Sequence, residues 1–205
     1  MAEERIRLNK ISLREQKQKK AMYERFLPAL EVRKQQLLLQ LAMVRDNIRK
    51  EQVNLEKVLE EIRTWASLYW NMEQMLKYFI SIREVRSTWR NVAGLKVREF
   101  LEVVYEDPGY SLFVTPYSFD TVLAKSRAAI ALREKIAILK EQERILGEGF
   151  RKTSQRINLY EKRLIPFCQD SIRKISVYLQ DQQAAAVGVA KVAKRLSEEA
   201  TYYAD

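Results

Sequence analysis

Apolar residues spaced alternately by four and by three run through two long stretches of this chain. From Leu37 the stripe reads Leu37, Leu41, Val44, Ile48, Glu51, Leu55, Val58, Ile62, Trp65, Tyr69, Met72, Leu76 and Phe79, broken only by Glu51. A seam repeating every 3.5 residues keeps facing a partner as two helices supercoil, so six such heptads fit a coiled coil far better than an isolated surface helix. Upstream, Leu13, Tyr23, Leu27 and Leu30 continue the stripe more loosely, and Pro28 inside that pattern predicts a kink or a helix break. A second stripe runs Ala129, Leu132, Ile136, Leu139, Glu143, Leu146, Phe150, Thr153, Ile157, Tyr160, Leu164, Cys168, Ile172, Ile175, Leu179, Gln182, Ala186, Val189, Ala193, Leu196, Ala200, Tyr203. Three successive steps of four between Tyr160 and Ile172 form a stutter that locally unwinds the supercoil, and Pro166 removes a backbone donor at the same place. Glu51 and Glu143 sit on the seams and cost stability there unless each is paired.

Two helices of this length pair antiparallel only if the segment between them reverses the chain. With 5 Gly and 4 Pro in 205 residues, few tight turns are available, which argues against many-stranded β folds and doubly wound α/β folds. The period changes over Leu95 to Thr115, where β-branched and aromatic residues surround Asp107-Pro108-Gly109-Tyr110. Proline presets φ and glycine accepts positive φ there, as a type II turn requires. A short hairpin over that stretch is expected, with Gly94 and Pro116 as helix-to-strand punctuation; a disordered loop is the competing reading. The fold class is therefore mainly α: a long antiparallel two-helix coiled coil, or helical hairpin, with a short β-hairpin in the connector. Its parts are an N-terminal helix over 1–90, a connector over 91–118 and a C-terminal helix over 119–205.

The composition excludes much chemistry. There is no His and one Cys, Cys168, so imidazole acid/base catalysis, zinc fingers, Cys-x-x-Cys redox sites and intrachain disulfides are ruled out. No carboxylate cluster has metal-ligand spacing, and no metal or other cofactor is expected. Cys168, on the seam, reads as a small buried hydrophobe rather than a nucleophile. Leu146-Gly147-Glu148-Gly149-Phe150-Arg151-Lys152-Thr153 superficially matches a phosphate loop, but Arg151 stands where a Walker loop needs Gly, and the heptad continues straight through. Its two glycines more readily admit a neighbouring backbone or soften the helix. The longest small or apolar run, Ala184 to Ala190, is far short of the roughly 20 residues of a membrane span, and the charged N-terminus has no signal-like apolar region. A soluble cytoplasmic protein is expected.

What remains is surface. The net charge of +10 is uneven: residues 1–50 carry +7 and 151–205 carry +4, whereas 51–100 carry +1 and 101–150 carry −2. Arg5, Arg7, Lys10 and Arg14, followed by Lys17, Lys19 and Lys20, could neutralise phosphates, but no stacking aromatics interleave with them. A solvated face or an acidic protein partner is the better reading. Twelve of the 20 aromatics fall in residues 65–119, more than one seam can bury. Trp70, Tyr78 and Trp89 lie off the seam, and Tyr110 and Phe113 lie in the connector; such rings mark a partner surface or packing beneath the connector. Ala184, Ala185, Ala186 and Gly188 form a slim stretch near the C-terminus, where Gly188 points to close approach of another surface or to tolerance at a fraying end.

Three segments carry a family resemblance. Ala29-Leu30-Glu31-Val32-Arg33-Lys34-Gln35-Gln36-Leu37 is similar, without gaps, to the pattern Leu-Leu-Lys-x-Lys-Arg-Asp-x-Leu, and Asn91-Val92-Ala93-Gly94-Leu95-Lys96-Val97 resembles a strand-entry segment that often has Pro where Arg98 stands. Most specific is Arg156-Ile157-Asn158-Leu159-Tyr160-Glu161-Lys162-Arg163-Leu164-Ile165-Pro166, similar to Arg-Val-Asn-Ala-Leu-Glu-x-x-x-Ile-Pro at identical spacing. The chain thus resembles the D subunits of V-type (archaeal and bacterial A-type) rotary ATPases. It departs after Gln183, where a charged stretch becomes Ala184-Ala185-Ala186-Val187-Gly188.

The resemblance implies a non-catalytic central rotor subunit that couples ATP hydrolysis or synthesis to proton or sodium translocation. Its joined termini would enter a hexamer of alternating A and B subunits, the small F subunit would dock on its side, and its other end would seat on a funnel-shaped subunit above the membrane ring. It implies a cytoplasmic position, peripheral to the membrane, with no membrane insertion and no bound nucleic acid. Two other classes of function fit a basic coiled coil: a scaffold or tether, and a helical hairpin that binds nucleic acid. The latter would bind with a steep salt dependence.

Overall fold

The computed structural model describes residues 7–66, 73–106, 109 and 118–202. In chain order the elements are α1 (Lys10–Ala66), α2 (Glu73–Phe79), β1 (Ile82–Val92), β2 (Leu95–Tyr105), α3 (Phe119–Leu159), a π-helical turn (Tyr160–Leu164) and α4 (Ile165–Tyr202). The expected fold class holds: a long helix pair with a two-stranded antiparallel hairpin between its members. Two compact units divide the chain, one over Arg33–Thr153 and one made of Met1–Val32 with Ser154–Asp205.

In the first unit the apolar stripes meet as the heptads dictate. Leu37, Leu41, Val44 and Ile48 of α1 are buried with Leu146 of α3. Full burial, as at Leu37 and Leu146, contributes roughly 1.5–3 kcal/mol per side chain. Ion pairs give the direction: Arg45 joins Glu143, Glu51 joins Lys135 and Glu61 joins Lys125, so position rises on one helix as it falls on the other. The helices are antiparallel. Both seam glutamates, Glu51 and Glu143, therefore have the cationic partners that their positions require.

The hairpin lies against this pair as a further layer, and it is not where the turn chemistry predicts. Its turn is Ala93-Gly94, with φ of 49° and 80°. Positive φ at both central residues is the type I′ geometry that matches strand twist. Alanine there costs on the order of 1 kcal/mol, and Ala93 packs against the helical core in return. Of the predicted turn only Gly109 is described; Asp107, Pro108 and Tyr110 lie outside the described residues. β1 accordingly takes up residues, Trp89 among them, that the helical reading of 1–90 assigns to the coiled coil. Arg83 on β1 and Leu101 on β2 are extra residues where the register shifts. Val97 is buried in the same core as Leu37 and Leu146, fastening the ribbon to the helices.

At the base of the ribbon, Phe119, fully buried at the start of α3, meets Phe79 of α2 edge-on at 5.5 Å between centroids. Arg127 ties the parts together. Its guanidinium donates to the carbonyls of Phe79 (3.0 Å) and Glu106 (3.2 Å) and lies 5.1 Å from the Tyr105 ring centroid. The Tyr105 hydroxyl donates back to the Arg127 carbonyl at 2.5 Å.

In the second unit, α1 starts behind the cap Asn9, whose Oδ1 accepts from Ser12 N–H at 2.7 Å, and it passes through Pro28 without a break. Tyr23 and Tyr160 pack ring to ring at 5.1 Å. The stutter between Tyr160 and Ile172 corresponds to the π turn, where Ile165 N–H donates to the Tyr160 carbonyl five residues back. Pro166 next to it has no N–H to donate and its ring crowds the preceding turn, so one wide turn absorbs the mismatch. Here the buried residues are mostly small or polar: Gln16, Ile157, Cys168, Ser171 and Ile175. Gln16 occupies the seam position three beyond Leu13, and Ser171 satisfies its hydroxyl on the Phe167 carbonyl at 2.6 Å.

Candidate functional site

The described residues hold no group of three His, Cys, Asp or Glu side chains placed to share a metal ion, and no helix of them is long and apolar enough to cross a membrane. What the fold presents is a set of surfaces.

At the start of α1, Arg7, Lys10 and Arg14 are exposed. Lys10 and Arg14, four residues apart, lie along one side of α1, and Arg7 precedes its first turn. Lys10 and Arg14 share a shallow groove with Ile11, Leu13, Lys17 and Ala21, so the basic surface has an apolar floor. Arg5 lies outside the described residues.

In α4, Ala186 and Gly188 are exposed, and a Cβ built on Gly188 meets nothing within 4 Å. The second stripe therefore does not act as a seam throughout its described length. Among the described side chains Ile175 is the last buried one of α4, and every residue from Gln180 to Ser197 is exposed, including Val189, Ala193 and Leu196. The reason is length. With Tyr23 beside Tyr160 and the helices antiparallel, α1 has reached its first turn opposite the early part of α4. Leu8 lines a groove with Asp170, Arg173, Val177 and Asp181, which places the end of α1 at that level. Beyond it α4 carries an apolar stripe with no helix of this chain against it among the described residues.

Around the hairpin, Tyr78 is 64% exposed although its ring meets Phe79 edge-on at 5.4 Å, and Trp89 is 66% exposed on β1. The off-seam aromatics are thus divided: these two are on the surface, while Trp70, Tyr110 and Phe113 lie outside the described residues.

The first unit also contains fixed charges. Glu51, with its side chain 17% exposed, accepts from Lys135 at 2.7 Å; that bond holds its carboxyl below the ordinary value against the opposing effect of burial. Burial pushes the Tyr105 phenol up, partly offset by Arg127.

Several residues that position these surfaces escape a reading of the sequence. Of the glycine pair, Gly149 admits the Leu95 side chain and Gly147 faces open space, so a neighbour is admitted at one glycine only, and it is a side chain rather than a backbone. Arg127 lies off the seam and carries no local signal. Gln16 could have been found by stepping the heptad three residues on from Leu13.

Residues 12–195 match the family of ATP synthase D subunits. The chain is 35% identical over 190 residues to the V-type ATP synthase D subunit of Borreliella burgdorferi, covering 93% of this chain and 94% of that one. It is 34% identical over 201 residues to the protein of the same name from Chlamydia trachomatis serovar L2, at 93% and 95% coverage. To that of Chlamydia felis it is 32% identical over 194 residues, at 93% and 92% coverage.

Proposed function

The chain belongs to the family of ATP synthase D subunits, and from that premise we propose that it is the central-stalk rotor of a V-type rotary ATPase. In this role it performs no chemistry. It carries rotation between a catalytic hexamer of A and B subunits and an ion-translocating membrane ring, with the small F subunit on its side and a funnel-shaped subunit beneath it. It would work on the cytoplasmic side, peripheral to the membrane.

The observation that carries this reading is family membership along nearly the whole chain. Two structural features support it. The exposed stripe of α4 from Gln180 to Ser197 calls for surrounding protein, and the basic start of α1 adds charge in the same unit. A rotor whose sides differ makes unequal contacts with chemically equal catalytic sites, so those sites hold different conformations and affinities at each angle. Rotation and nucleotide binding are then coupled reciprocally.

The test is purification of the complex from native membranes with and without this chain. With it, ATP hydrolysis should drive ion uptake into vesicles; without it, any residual hydrolysis should drive none. Ion uptake undiminished by loss of the chain would refute the rotor role.

A further inference from the structure

The two edges of the β1–β2 ribbon are unequal. On the outer edge of β2 the Arg98 carbonyl accepts a hydrogen bond from Gln142 Nε2 of α3. The outer edge of β1 has no backbone partner among the described residues. In a two-residue hairpin the pair flanking the turn, here Val92 and Leu95, exchanges both its hydrogen bonds. Alternate residues of β1, namely Val85, Ser87, Trp89 and Asn91, then direct N–H and C=O away from β2. The bond to Arg98, the residue opposite Trp89, fits this phase. The register shift near Ser87 puts its extra residue on β2, so the alternation on β1 is unbroken from Glu84 to Val92.

An open edge of this length is a template for another strand. Over Ile82–Tyr105 five basic side chains face three acidic ones, so a second copy would bring the same excess positive charge. An acidic strand complements it. Trp89 beside that edge supplies an exposed aromatic anchor.

Arg86 and Arg90 are already paired with Glu102 and Glu99 across the ribbon, which leaves the excess charge of β1 at Arg83. We propose that β1 is extended into a three-stranded sheet by a strand of a partner protein in the assembled complex, with an apolar residue beside Trp89 and an acidic residue beside Arg83. This rests on the reading that the chain works inside a rotary complex, and it adds which element docks and by what chemistry.

The test is residue-resolved amide exchange of the full chain, free and within the purified complex. The amides of Val85, Ser87, Trp89 and Asn91 should exchange rapidly in the free chain and slow by roughly a hundredfold on assembly, whereas those paired with β2 are protected in both states. Asn91→Pro removes one outward donor, a change that edge strands tolerate, and should weaken partner retention. Arg83→Glu leaves the backbone intact and should weaken retention by about tenfold at low salt and less at high salt; it decides the matter if the proline variant loses the hairpin.

If the chain does not enter the complex at all, the rotor reading fails first. If it enters and the four amides exchange as in the free chain, the strand proposal alone is wrong. Protection with normal retention of both variants means that side chains, not a strand, cover the edge, and it overturns the proposal. Protection that appears in the free chain as its concentration rises identifies a second copy, and overturns it equally.

Discussion

Leu95 occupies the space that a side chain on Gly149 would fill: a Cβ built on Gly149 would overlap Leu95 Cδ1 and fall 3.4 Å from Leu95 Cγ. The first residue of β2 thus seats in a notch on α3 made by the absence of a methyl group. Two glycines two residues apart on one helix have different duties. Gly147 has nothing within 4 Å of its Cβ position, and of the two only Gly149 has a neighbour, the Leu95 side chain, in the space its Cβ would take.

Gly147→Ala should therefore stabilise the protein by about 0.5–1 kcal/mol through helix propensity alone. Gly149→Ala makes the same local gain but must push Leu95 aside, so its net effect should fall below that of Gly147→Ala. Gly149→Val should destabilise by roughly 1–3 kcal/mol as an overpacked contact. Urea unfolding of the three variants checks the ranking, and Leu95→Ala should soften the penalty at position 149 by non-additivity.

Glu51 and Lys135 should contribute in a pH-dependent way. Their hydrogen bond lowers the Glu51 carboxyl below 4.5, its ordinary value. A depressed carboxyl stabilises the folded state fully above the unfolded-state value, and the contribution is lost as pH falls through the lower folded-state value. Glu51→Gln should cost about 1 kcal/mol at pH 7, and the gap to the parent protein should narrow as pH drops below about 4.5. Unfolding midpoints across pH 3 to 7, a range set roughly by ordinary carboxyl titration, measure it.

Arg127 supports the base of the hairpin through two backbone carbonyls and the Tyr105 ring. Arg127→Met keeps much of the stem and removes the donors, which should cost roughly 1.5–3 kcal/mol. Arg127→Lys should recover only part, because one ammonium cannot reproduce the planar fork. Thermal melting gives the loss, and amide exchange at Glu106 should rise with it.

Ending the chain after Gln180 removes a segment whose described side chains, 181–197, are all exposed. The free protein should keep its melting temperature to within a degree or two, about the scatter of a small surface change. Ion uptake driven by ATP should collapse in the reassembled complex, since the rotor reading seats this segment in the hexamer. A truncated chain that melts much earlier would show that the segment is structural instead.

The heptad stripes, the antiparallel pairing implied by a reversing connector, the demand for partners at Glu51 and Glu143 and the irregularity before Pro166 were all legible in the amino-acid order. They depend on periodicity and on the chemistry of one residue against its own neighbours in sequence. Tertiary structure decided the rest. A type I′ turn at Ala93-Gly94 is disfavoured by its first residue, and it stands because Ala93, Leu95 and Val97 gain a helical surface to pack on. Trp89 lies in a strand for the same reason: β1 exists only with β2 beside it. The stripe of α4 continues past the end of α1, and no pattern within α4 records where its partner stops. Period is a property of a single segment, whereas register, notch and overhang are set by which distant segment comes to lie against it.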